Sequence, residues 1–121
     1  MKRVVLTGFG AVTPIGIGKD EFWNALLDGK SGVGYITRFD ASEHDTKIAA
    51  EVKDFDPTAF MEKKEAKRMD MFAQYAVAGT KMALDDAGID LSLIDTDRAG
   101  AIIGSGIGGI TTLEAEKEKL D

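Results

Sequence analysis

The chain has 121 residues, 44% hydrophobic and 30% charged, with a formal net charge of −6. That size and balance fit one ordinary globular unit, short for an enzyme with a deep cleft, and the acidity argues against a general nucleic-acid binder. Cysteine is absent, so disulfides, thiolate metal sites and a cysteine nucleophile are excluded within these residues, and the single His44 cannot form a metal cluster with other histidines. It reads as a solvated loop residue. No apolar run approaches the length needed to cross a bilayer. The opening Met1-Lys2-Arg3-Val4-Val5-Leu6 breaks at Thr7-Gly8, too early for an export signal, so a cytoplasmic location is expected.

Residues 2–7 read as a first strand, because Val4-Val5-Leu6 is a continuous apolar run of the kind found in sheets covered on both faces. Gly8, Gly10, Pro14, Gly16 and Gly18 then punctuate a long turn. A helix is predicted over residues 19–28, with Asp20 and Glu21 at its positive end, an apolar stripe of Phe22, Trp23, Leu26 and Leu27, and Gly29 as its stop. Residues 31–56 are mixed: 47–52 make a candidate short strand, and Asp56-Pro57-Thr58 a turn or helix start.

The strongest periodicity lies in residues 64–87. Met69, Phe72, Ala73, Ala76, Ala83, Leu84 and Ala87 recur at helical spacing, and Gly88 follows as a stop. Residues 99–103 read as a second buried strand. They run into Gly104-Ser105-Gly106-Ile107-Gly108-Gly109, and a charged helix follows from about Thr111 with no C-terminal stop in view. This order of elements predicts an α/β fold with a largely parallel sheet, without internal repeats or linkers.

Gly104, Gly106 and Gly109 match G-x-G-x-x-G between a predicted strand and a helix, the setting of a dinucleotide site. The acidic ribose partner would fall beyond Asp121, so the motif alone supports a dinucleotide-binding oxidoreductase only as a distant alternative. Gly29-Lys30-Ser31 imitates the end of a phosphate loop but follows its helix and has Asn24 where glycine is required.

Several ordered motifs resemble one family. Val4-Val5-Leu6-Thr7-Gly8-Phe9-Gly10-Ala11-Val12-Thr13-Pro14-Ile15-Gly16 is similar to the opening of beta-ketoacyl-acyl carrier protein synthases. Trp23-Asn24-Ala25-Leu26-Leu27-Asp28-Gly29-Lys30-Ser31-Gly32, Arg38-Phe39-Asp40, Lys67-Arg68-Met69-Asp70 and Ile103 to Gly109 follow in the family's order. The details most resemble the type II elongating synthase of bacterial fatty acid synthesis. The resemblance implies a thiolase-like layered fold of two related α/β halves. Residues 1–121 would be the incomplete N-terminal half, with a central helix, truncated at its C-terminal end. It further implies a homodimer when complete; no cofactor or metal is expected, and no nucleic-acid or membrane partner.

The implied reaction transfers an acyl chain from acyl carrier protein to a cysteine. Malonyl-acyl carrier protein then loses carbon dioxide, and the carbanion attacks the acyl thioester. The cysteine, two histidines and a lysine of the family all come later, so no residue here is assigned a catalytic role and this piece alone is expected to be inactive. The alternative is a non-catalytic partner like a chain-length factor.

Two binding roles carry over from the resemblance. Gly106, Ile107 and Gly108 correspond to the family's loop beside the acyl pocket, with Ile107 meeting or gating the fatty tail. The plain alternative is that the glycines let strand and helix pack closely and Ile107 is core. Lys63, Lys64, Lys67 and Arg68 cluster on one side of the predicted helix, opposite its apolar stripe, with Glu62 and Glu65 diluting the patch. Alone this is compatible with a solvated surface. With the resemblance, Lys64, Lys67 and Arg68 match the positions that dock the acidic acyl carrier protein, in its acyl and malonyl forms. A half-fold of this kind is expected to expose apolar surface when isolated.

Overall fold

In the computed structural model, which describes residues 2–120, packing converges on one long helix. The elements in chain order are β1 (Val12–Thr13), β2 (Gly16–Ile17), α1 (Lys19–Leu27), β3 (Val33–Tyr35), β4 (Ile48–Ala50), α2 (Lys63–Ala66), α3 (Met71–Ala87) and α4 (Ile110–Leu120). Single 3-10 turns lie at Pro57–Ala59, Leu91–Leu93 and Thr96–Arg98.

The fold is α/β, but the expected largely parallel sheet is corrected. Among the described residues β1 pairs only with β2 and β3 only with β4, both antiparallel, with Val33 opposite Ala50 and Tyr35 opposite Ile48. The segments 2–7 and 99–103, expected as buried parallel strands, run without a ladder partner. Val4, Leu6 and Ile102 are 91%, 98% and 98% exposed. Parallel strands require cover on both faces and a long crossover between partners, and no described element covers these segments. The hairpins close over short stretches of chain and so form locally.

Helix α1 ends as expected: the Asp28 N–H donates to the Asn24 carbonyl at 3.0 Å, and Gly29 then takes φ 63°. At its start the Glu21 carboxylate accepts the Ile17 N–H at 3.1 Å, pinning the hairpin exit to the first turn. Its apolar stripe is not core, however. Ala25 is the buried residue, while Trp23 is 60% exposed and Leu26 and Leu27 are also exposed.

The single helix expected over residues 64–87 is two helices. The chain leaves helical geometry after α2, and Asp70 stands extended (φ −64°, ψ 157°) as the N-cap of α3. The cause lies one turn further on. The buried Gln74 side-chain amide donates to the carbonyls of Ala66 (2.9 Å) and Met69 (3.0 Å), tying the turn after α2 to the first turn of α3. The buried residues of α3 are accordingly Gln74 and Ala78, not the predicted stripe. Gly88, at φ 60°, caps the helix as expected.

Several segments of the chain pack onto α3. A side chain at Gly10 would overlap the Gly79 carbonyl, and one at Gly8 the Ala83 carbonyl, so the N-terminal segment approaches as only glycine permits. Asp86 holds that segment by accepting the Phe9 N–H at 3.0 Å and pairing with Lys19. Tyr75 meets Phe55 edge to face at 5.0 Å and accepts from the Arg38 guanidinium at 3.1 Å. Lys81 donates to the Phe60 carbonyl. The resulting core is small: Ala11, Ala25, Ala41, Met61, Ala66 and Ala78 are its buried apolar residues. The accessible surface is 10022 Å², against roughly 6,300 Å² for a compact monomer of this size.

Candidate functional site

The basic residues sit on α2 and the turn after it, which corrects their placement on one long helix. Lys67 is the C-cap of α2; the Arg68 N–H donates to Glu65 at 2.9 Å and the Met69 N–H to Ala66 at 3.2 Å. Ala66 is buried and anchors the turn, while Lys63, Lys64, Lys67 and Arg68 all face solvent, as do Glu62 and Glu65. The exposed charge expected from helical periodicity is thus produced by a short helix and a tight turn.

The glycine loop lies at the other end of the chain. Ile107 is 80% exposed, so it is not a core residue among the described residues. The Ser105 hydroxyl accepts the Gly108 N–H at 3.1 Å, and Gly108 adopts φ 79°, a conformation that favours glycine. The chain then enters α4, where the Leu113 N–H donates to the Gly109 carbonyl at 3.0 Å. The paired strand required before a dinucleotide loop is not formed by residues 99–103.

The residues that follow the basic turn and the glycine loop meet through a contact the sequence reading did not foresee. Asp70, directly after the basic turn, accepts a hydrogen bond from the Thr112 hydroxyl in the first turn of α4. A side chain at Gly109 would overlap the Asp70 carboxylate, and one at Gly108 would touch the Phe72 ring at 3.7 Å. An aspartate just ahead of a helical run is a legible N-cap. Its partner 42 residues away is not.

The carboxylates held below their ordinary range serve the scaffold. Hydrogen bonds from the Thr37 hydroxyl and amide hold Glu51 below its ordinary carboxylate range, with help from the Arg38 backbone and charge. Asp86 is lowered by its bond to Lys19 and then by the Phe9 amide. His44 packs edge-on against Phe39 at 5.5 Å. An open groove of about 690 Å³ involves Thr13, Ile15, Lys30, Lys53 and Phe60, and no residue of the glycine loop or the basic turn lines it. Among the described residues, no three His, Asp or Glu side chains gather as a metal site, and no helix is long and apolar enough to cross a membrane.

The backbone is that of the thiolase-like ketosynthases. The ishigamide ketosynthase/chain length factor superposes with a TM-score of 0.75 at 36% identity, over 97% of this chain and 30% of that one. The AntDE:AntF structure, a type II PKS acyl-carrier protein in complex with its ketosynthase, superposes with a TM-score of 0.74 over 96% of this chain and 30% of that one; at 22% identity it speaks for the fold alone. Residues 1–121 match the model for the beta-ketoacyl synthase N-terminal domain, and the chain belongs to this family. It is 47% identical to 3-oxoacyl-[acyl-carrier-protein] synthase 2 of Synechocystis sp. over 119 residues, and 46% identical to that of Vibrio harveyi over 119 residues. Each alignment covers 98% of this chain but only 29% of the relative.

Proposed function

We propose that these residues form the N-terminal part of a 3-oxoacyl-[acyl-carrier-protein] synthase that condenses malonyl-acyl carrier protein with acyl-acyl carrier protein in fatty acid elongation. The observation that carries this reading is identity of 47% across nearly the whole chain to a synthase of that name. The chain supplies no cysteine, so the thiol that accepts the acyl group belongs to the part of such a synthase that these residues do not span. Its contribution is scaffold and binding. Ile107, flanked by Gly106 and Gly108, is an exposed branched side chain suited to contact with an acyl chain, each buried methylene being worth about 0.8 kcal/mol.

Lys64, Lys67 and Arg68 form the docking surface for acyl carrier protein. Complementary charge there raises encounter rate and orientation, and weakens with salt. The complete enzyme is a cytoplasmic homodimer in this reading. In the same reading the remainder of the synthase covers the exposed segments 2–7 and 99–103.

A condensation assay with purified acyl- and malonyl-carrier substrates tests the proposal. The full-length synthase is expected to form 3-oxoacyl product and to lose activity on alkylation of one cysteine, whereas residues 1–121 alone form none. Product from the 121 residues alone overturns the assignment. A full-length protein that binds the carrier but has another residue in place of the cysteine is instead a chain-length-factor-like partner.

A further inference from the structure

The glycine loop needs a fixed point if its one large side chain is to select among acyl chains. Gly106 and Gly108 leave Ile107 free to move, and the segment before the loop, residues 99–103, has no ladder partner. What is anchored is the far end. There the Thr112 hydroxyl binds the Asp70 carboxylate, Gly109 leaves the space that the carboxylate occupies, and Phe72 lies under Gly108. The carboxylate also stands at the first turn of α4, where the helix dipole favours negative charge. Asp70 is itself held by a rigid neighbourhood. It caps α3, its carbonyl accepts the Gln74 N–H at 3.0 Å, and the Gln74 amide pins the preceding Met69 carbonyl.

We infer that Asp70 is a positioning residue for acyl-chain selection: clasping Thr112 across the gap left by Gly109, it sets where Ile107 stands and hence which chain lengths the loop admits. This rests on the proposed role of Ile107 beside the acyl chain. The clasp is broken from the α4 side by Thr112→Val, which removes only the hydroxyl of an exposed residue. Gly109→Ala breaks it differently, because the new methyl group displaces the carboxylate. Neither change alters the basic turn.

In the full-length synthase, kcat/KM is measured for a series of acyl-carrier substrates of increasing length, alongside affinity for the carrier without an acyl group. Both variants are expected to shift the ratio of long- to short-chain kcat/KM by about two- to tenfold, the range a net hydrogen bond supports. Carrier affinity should stay within about twofold, since no docking charge has changed. Thr112→Ser, which keeps the hydroxyl, should retain the parent profile. An unchanged profile in Thr112→Val and Gly109→Ala overturns the inference, as does an equal loss at every chain length. Ile107→Ala separates the two levels. If it leaves the profile untouched, the acyl-pocket reading itself fails; if it changes the profile while the clasp variants do not, only the role of Asp70 fails.

Discussion

The stretch wrapped around α3 and the two flanking apolar segments contain similar residues but reach opposite outcomes. Around α3, the glycines, Gln74, Tyr75 and Asp86 each meet a partner from elsewhere in the chain. The flanks carry Val4, Leu6 and Ile102, as apolar as any core residue, yet all three are almost fully exposed. Composition does not separate the two regions. The supply of covering surface does: a helix can collect hairpins and loops from nearby sequence, whereas a buried parallel strand needs neighbours on both edges and layers on both faces. The difference between 10022 Å² of accessible surface and the roughly 6,300 Å² of a compact monomer expresses the same imbalance.

The largest expected effect concerns the whole contrast. Residues 1–121 studied alone should bind a hydrophobic dye strongly and melt without a sharp transition, because the flanks remain uncovered. A sharp two-state thermal transition in the isolated monomer would break the comparison, since it would show the α3 hub to be sufficient.

A second test sets one glycine from each region side by side. Gly10→Ala drives a methyl group into the Gly79 carbonyl of α3, whereas a methyl at Gly100 meets nothing within 4 Å. In the full-length synthase, denaturant unfolding should show a loss of about 1–3 kcal/mol for Gly10→Ala, as for overpacking, and a smaller loss for Gly100→Ala, whose methyl group meets no described atom. Equal losses would mean that the flank is packed as tightly as the hub once covered.

The smallest effect is a pH dependence at the seam between the regions, where Asp86 holds Phe9 and Lys19. The Asp86 carboxylate is lowered below 3.8 by its bond to Lys19, and Lys19 is raised above 10.5 by the same bond. The depressed acid contributes stability above its unfolded value, which is lost as pH falls through the lower folded value. The raised base contributes below its unfolded value, and that is lost as pH rises through the higher folded one. Amide-exchange protection at Phe9 should therefore hold from about pH 4 to pH 10 and decline outside that window. Asp86→Asn should flatten the acid limb; an unaltered limb would remove Asp86 from the seam.

Much of the local structure was legible in the residues themselves. Gly29 and Gly88 stop their helices at positive φ as their positions indicated, and Asp56-Pro57-Thr58 makes the expected turn, with the Asp56 side chain accepting the Thr58 N–H at 2.9 Å. Helical periodicity located α3 but missed the break before it, because the break depends on Gln74 turning its amide back toward Ala66, eight residues earlier. Polar residues carry no weight in an apolar pattern, so a buried glutamine is invisible to it. The candidate site divides in the same way. The basic turn and the glycine loop were recognisable from residue types and order, but the Asp70–Thr112 contact that ties the start of α4 to the head of α3 was not.

Taken by itself, the sequence determined the family, the absence of a thiol nucleophile, the helix stops and the exposed charge at Lys64, Lys67 and Arg68. These are properties of short, contiguous motifs and of composition. Only the tertiary structure decided that the pairing among the described residues is antiparallel, that the long helix is broken at Asp70, and that the first turn of α4 is fastened to Asp70 at the head of α3. Each of those outcomes turns on groups far apart in the chain competing for the same hydrogen bonds or the same covering surface, and such competition is resolved only when the chain is folded.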